Sequence, residues 1–97
     1  MPRSAISRIR EKIRLWQYDM TAHAMEEMAE DNLDIIDVEQ VILSGRIIRT
    51  EIEDPRGTKY IVRGSASDDT TQVGVVGRFT STGHFLIITV YAIAETE

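Results

Sequence analysis

The sequence predicts an α+β fold in which three N-terminal helices pack on a four-stranded antiparallel β-sheet. Three observations carry this. Apolar residues recur at helical spacing up to residue 45 and with a period of two from Arg46 onward. The connections between the alternating segments are short, as an antiparallel meander requires. The order of helices first and strands after implies helices covering one sheet face.

Residues 4 to 16 read as a basic amphipathic helix: Ile6, Ile9, Ile13 and Trp16 share one stripe, and Ser4 is placed to cap its start. Residues 1 to 18 therefore form a helical extension, and residues 19 to 97 a single α+β domain. A second helix is expected from Thr21 as N-cap to about Asp31, burying Met25, Met28 and Ala29, with Leu33 and Ile35 closing over its end. The third is "DVEQVILSG", where Asp37 and Gln40 have capping-box spacing and Gly45 stands where helices often stop in the left-handed conformation.

Four strands follow in "RIIRTEIE", "TKYIVRG", "TQVGVVGRF" and "HFLIITVYAIA", rich in Ile, Val, Thr and Tyr. "DPRG", "SASDDT" and "TSTG" connect them, the first with Pro and Gly at turn positions. Strict alternation puts Phe85, Ile87, Thr89, Tyr91 and Ile93 on one side of the last strand, and Leu86, Ile88, Val90 and Ala92 on the other. Both sides are apolar, so this strand is expected to be central. Arg63 alternates with Ile61 and Lys59, and Arg78 with Val76 and Gly74. Which of these share a face with Thr89 is open from sequence.

Composition narrows the classes of function. With 97 residues, 42% of them hydrophobic and 28% charged, the chain has ordinary globular usage. It can bury about 60 to 70% of its unfolded surface. No cysteine is present, which excludes disulfides, thiol catalysis and cysteine-based zinc motifs and fits a reducing compartment. No apolar leader follows the N-terminal arginines, and "FLIITVYAIA" is half a membrane span, so the expected location is the cytoplasm, without a membrane partner. "VGVVG" lies inside a strand pattern and lacks the spacing of a nucleotide loop. No serine stands in a nucleophile-elbow context.

The net charge of −5 argues against a nucleic-acid partner, but it averages unlike segments. Residues 1 to 18 hold Arg3, Arg8, Arg10, Lys12 and Arg14 against Glu11 alone, residues 19 to 39 hold eight acids and no Lys or Arg, and the other cations lie beyond. Different faces are thus expected to meet different partners. The basic helix is suited to a nucleic-acid backbone or to pairing with the acidic second helix of the same or a neighbouring molecule.

The strings "HAMEEM", "DVEQVILSGRII", "DPRGTKYIVRG", "VGVVGRF" and "LIITVY", in this order, resemble a bacterial family known as domain of unknown function 4258. The resemblance covers about Thr21 to Ala92. It implies the fold of the RelE, barnase and colicin-like ribonucleases, many of them toxins of toxin–antitoxin pairs. Two departures stand out: some members carry a histidine on the strand matching "QVGVVG", and many have arginines where this chain has Glu26, Glu27 and Glu30.

Metal-free RNA cleavage needs a base for the 2′-hydroxyl proton, cations for the phosphorane and an acid for the leaving oxygen. His23, near the start of the second helix, is the candidate base; the alternative is a histidine packed against the strands with its ring N–H bonded to a carbonyl. Arg63 and Arg78 are candidate phosphate ligands or, alternatively, edge charges. Thr89 and Tyr91 are candidate hydroxyl donors, against a core tyrosine with a satisfied hydroxyl. His84 reads as a solvated turn residue. A metal site of His23 with Glu26, Glu27 and Glu30 has the spacing but a single imidazole, so no metal and no cofactor is expected.

Two functions stand. One is a toxin-like RNA-binding or RNA-cleaving domain, with His23, Arg63, Arg78, Thr89 and Tyr91 lining a sheet-face cleft; its candidate partners are RNA, a small antitoxin and a second copy of the chain. The other is a non-catalytic interaction domain whose acidic helix meets a basic protein.

Overall fold

The computed structural model describes residues 3–93. Ser4 opens the first helix, α1 (Ala5–Arg14), its side chain accepting from the Ser7 amide at 3.3 Å. Ile9 and Ile13 are buried as their spacing predicts. The helix ends earlier than expected: Trp16 N–H bonds Ile13 O and Gln17 N–H bonds Lys12 O, a Schellman closure with Trp16 at φ 58°. Trp16 therefore leaves the buried stripe and is 82% exposed.

The early stop makes room for a strand that the sequence pattern did not reveal. β1 (Tyr18–Met20) pairs parallel with β5 (Phe85–Ile93), so the sheet has five strands and is mixed, not four-stranded and antiparallel. Three residues are too few to show a period. The remaining elements are α2 (Ala22–Glu30), α3 (Ile35–Ser44), β2 (Arg46–Glu51), β3 (Lys59–Ser65) and β4 (Gln72–Phe79), and the strand order is β1-β5-β4-β3-β2. β5 is an interior strand, but β4 holds the middle. Among the described residues no helix is long and apolar enough to cross a membrane.

Thr21 caps α2 as expected, its hydroxyl accepting from Ala24 N–H at 3.1 Å. The buried face is shifted from the expected one: Ala24 is buried and Met28 packs on the core, whereas Met25 and Ala29 are exposed. The cap of α3 also moves by one turn. Asp34 is the N-cap and Asp37 the third helical residue, each carboxylate accepting from the other's amide, at 2.9 and 3.1 Å. Gly45 ends α3 at φ −85°, outside the left-handed region. Its glycine identity has another cause: a Cβ there would collide with the backbone carbonyls of Arg63 and Val41, so the helix end rests directly on β3. Arg10 of α1 donates to the carbonyls of Ile42 at 3.1 Å and Gly45 at 2.6 Å, placing a cation at the negative end of α3.

One core lies between the helices and one sheet face. Ile9, Ile13, Ala24, Val38, Val41 and Ile42 meet Val62, Val73, Val75, Phe85, Ile87 and Val90. Tyr60, Phe79 and Phe85 form an edge-to-face row along this layer, and Arg8 stands 4.8 Å above the Phe79 ring. Strict alternation fails in β5. The register shifts between Val76↔Thr89 and Gly77↔Ile87, so an extra residue lies in β5 and Phe85 and Ile87 share the helix-side face with Val90, not with Thr89 and Tyr91.

Asp37 ties these layers together. Buried, it accepts from the Ser67 hydroxyl and from the Ser67 amide at 3.0 Å, in addition to its bond within the cap. The Ser67 hydroxyl, then the Asp34 and Ser67 amides, hold its carboxyl below the ordinary range. Asp37→Ala should cost about 1–3 kcal/mol in urea unfolding at neutral pH, because it leaves buried donors unmatched. The folded pKa lies below an unfolded value of about 3.9, so the stabilisation is full above about pH 4 and disappears as pH falls through the folded value. The stability gap between wild type and Asp37→Asn should therefore narrow in acid; a gap constant from neutral pH down to about pH 2 would contradict this.

Candidate functional site

Once Val62, Val75 and Val90 are fixed on the helix side, the registers dictate the other face. Arg63, Gly74 and Tyr91 form one cross-strand row, and Ile61, Val76 and Thr89 the next. Further along, Arg78, Leu86 and Asp19 form another. β2 adds Arg46 opposite Arg63 and Arg49 opposite Ile61. Five cations, Arg46, Arg49, Lys59, Arg63 and Arg78, thus project from the face that α1 and α3 leave open.

Arg63, Thr89 and Tyr91 come together within two adjacent rows. Arg78 shares the face but lies four residues along β4 from Gly74, about 13 Å away at strand rise. Gly74 explains the position of Tyr91: a Cβ there would collide with the tyrosine ring, so the ring lies across bare backbone beside the Arg63 row. Arg46 and Arg63 are cross-strand neighbours where β2 meets β3. Arg78 Nη1 reaches the Arg56 carbonyl at a long 3.5 Å, and its Nε is buried without a hydrogen-bond partner among the described residues.

His23 is neither in the row of arginines nor packed against a carbonyl. It stands on α2 at the β5 edge, largely exposed, with Nε2 3.3 Å from Glu27 Oε1. That same Glu27 oxygen accepts from the Val90 amide at 3.1 Å, between the positions of Thr89 and Tyr91. The sequence reading missed a second imidazole–carboxylate pair. His84 Nδ1 lies 2.8 Å from Asp19 Oδ2, at the end of the open face where β1 meets β5. The two residues are 65 positions apart, and only the parallel β1–β5 pairing joins them.

A concavity of about 710 Å³ lies at the β2–β3 hairpin, not over Tyr91. Its cations are matched by acids: Lys59 lies 3.6 Å from Glu51 and 3.5 Å from Asp54, and Arg56 lies 3.2 Å from Asp54. The Arg56 side chain and amide, together with Lys59, lower the Asp54 carboxyl to about 2. This corner is internally neutralised. Among the described residues no three His, Asp or Glu side chains are grouped to hold a metal.

A mixed sheet with one face roofed by helices and several arginines on the other makes up a small α+β domain. The family model described as Domain of unknown function (DUF4258) matches residues 20–92, and the chain belongs to that family. The match begins in β1, ends in β5 and leaves α1 outside, although Ile9 and Ile13 of α1 sit in the common core. No curated protein and no solved structure matches the chain.

Gly74→Ala should destabilise the protein by about 1–3 kcal/mol through its clash with Tyr91. The penalty should largely vanish in a Tyr91→Ala background. Urea unfolding of the four members of this cycle measures the coupling, and additive losses would show that the ring does not occupy the space over Gly74.

Proposed function

We propose that the chain is an RNA-directed, toxin-like domain that holds a single-stranded phosphodiester backbone on its open sheet face, cleaves it without a metal, and has a small antitoxin as protein partner. The observation that carries this reading is the placement of Arg46, Arg63 and Arg78 on one sheet face with Thr89 and Tyr91, in a protein whose net charge is −5; Arg49 and Lys59 share that face and are paired with Glu51 and Asp54. Phosphate binding draws its affinity from such cations. Arginine adds two-pronged contacts to phosphate oxygens. Tyr91, flat over Gly74, offers a surface on which a base can stack.

In this reading Arg63 and Arg78 contact phosphates and stabilise charge on phosphorus, and Thr89 donates its hydroxyl beside them. Proton transfer falls to His23 at the β5 edge, with the Asp19-paired His84 at the far end of β5 as the alternative imidazole. A non-catalytic interaction domain of the same fold is the competing reading, favoured by the wide separation of the two histidines along β5.

Fluorescence anisotropy with a single-stranded RNA oligonucleotide tests binding. Neutralising about three phosphates would lower affinity roughly twentyfold between about 50 and 200 mM salt. Arg63→Ala and Arg78→Ala should each weaken binding about tenfold or more. Induced expression should slow bacterial growth and the purified protein should cut RNA, both effects falling with Arg78→Ala; comparing His23→Ala with His84→Ala identifies the imidazole that moves the proton. Binding unaffected by salt and by both arginine variants would remove the reading.

A further inference from the structure

A second surface lies at the opposite margin of the sheet and shares only Asp19 with the cationic face. Trp16, Tyr18, Met20, Met25, Met28 and Ile35 line a groove of about 590 Å³ between the α1–β1 turn, α2 and the start of α3. Trp16 and Met25 are 82% and 54% exposed, and Ile35 is 38% exposed, so the groove is open to solvent. Monomeric proteins seldom leave large apolar side chains clustered in this way without a binding role.

Trp16 gives the groove its sharpest feature. It occupies the left-handed position that closes α1, φ 58°, where glycine is the favoured residue and a bulky side chain is an outlier. An indole placed there loses stability and contributes no core packing. Strain of this kind is retained where a side chain has work outside the fold. Three of the chain's four methionines line the same groove, and their flexible thioethers adapt to varied apolar partners.

Charge selects the occupant. The walls are drawn largely from residues 19 to 39, which carry no Lys or Arg. Asp19 lines the groove, Asp34 caps the helix at Ile35, and Glu39 accepts from the Tyr18 hydroxyl at 2.8 Å. The nearest cations in sequence, Lys12 and Arg14, belong to the last turn of α1. β1 presents only three residues at its outer edge, too few to bind a partner chiefly through backbone pairing. We propose that this groove is a docking site for a basic amphipathic helix of a partner protein, whose apolar stripe lies on Trp16, Met25 and Met28 while its Lys and Arg side chains meet the acidic rim.

The chain's single tryptophan is a built-in reporter. Titration with a synthetic Leu/Lys amphipathic helix of about 18 residues should shift Trp16 emission to the blue and saturate, and the same composition in scrambled order should bind at least about tenfold more weakly. Anisotropy of the labelled peptide then compares variants. Met25→Glu adds a negative charge, so attraction by charge alone would tighten binding; docking in the groove predicts a loss of about tenfold or more, with Ile52→Glu, a like change at the distant hairpin, leaving affinity unchanged. Trp16→Gly should raise Tm by a few degrees while weakening the peptide complex. Arg63→Ala should leave peptide binding intact, which separates this surface from the RNA reading. Equal binding of the scrambled peptide, tighter binding by Met25→Glu, or a concentration-dependent dimer that buries Trp16 against a second copy would each overturn the proposal.

Discussion

The outer edge of β5 imposes the constraint around which the molecule is arranged. β5 runs for nine residues, but β1 pairs with only three of them. The remaining backbone groups on that side need partners, and α2 with its cap supplies them. Thr21 donates through its amide to Ile87 O and through its hydroxyl to Ile88 O, both at 3.0 Å. Glu27 and Asp31 accept from the amides of Val90 and Ala92, at 3.1 and 3.0 Å. Two carboxylates of a helix that reads as simply acidic are therefore edge caps, and they close to strand addition an edge that would otherwise be sticky.

From that clamp the rest of the geometry descends. Holding α2 along the edge points Ala24 and Met28 to the core, leaves His23 beside the strand positions of Thr89 and Tyr91, and turns Met25 outward into the groove with Trp16. The extra residue in β5 lies where Thr21 takes the Ile88 carbonyl. It rotates Thr89 and Tyr91 to the open face, into the rows of Ile61 and Arg63.

The net charge of −5 is an average over two surfaces that face different ways. The strands β2, β3 and β4 carry cations to the open face, and α2 with the start of α3 concentrates acids at the β1 margin. An anionic polymer and a basic helix would approach from different sides. At physiological salt, charges separated by more than about 8 Å are largely screened, so each surface acts through its own local field.

Much of the architecture was legible in residues alone. Helical spacing identified the buried Ile9 and Ile13, Thr21 marked the start of α2, and period-two runs located β2 to β5 with their turns, because these signals are local. Motif order indicated the family. The chemistry of the open face was legible as residue types, Arg63, Arg78, Thr89 and Tyr91, but not as one surface: parity along a strand defines relative sides, and only pairing with neighbours says which side the helices cover.

What tertiary structure alone decided rests on contacts distant in sequence. A three-residue β1 has no period of its own and exists because Phe85 to Ile87 lie beside it. The β5 bulge cannot be seen in a run that is apolar on both sides. Asp37, at the third helical position of the Asp34 cap, is bound as well by Ser67, 30 residues away, and His84 gained Asp19 only through the parallel pair. Periodicity and capping propensity are properties of neighbours along the chain; register, edge satisfaction and long-range hydrogen bonds belong to segments that meet only on folding.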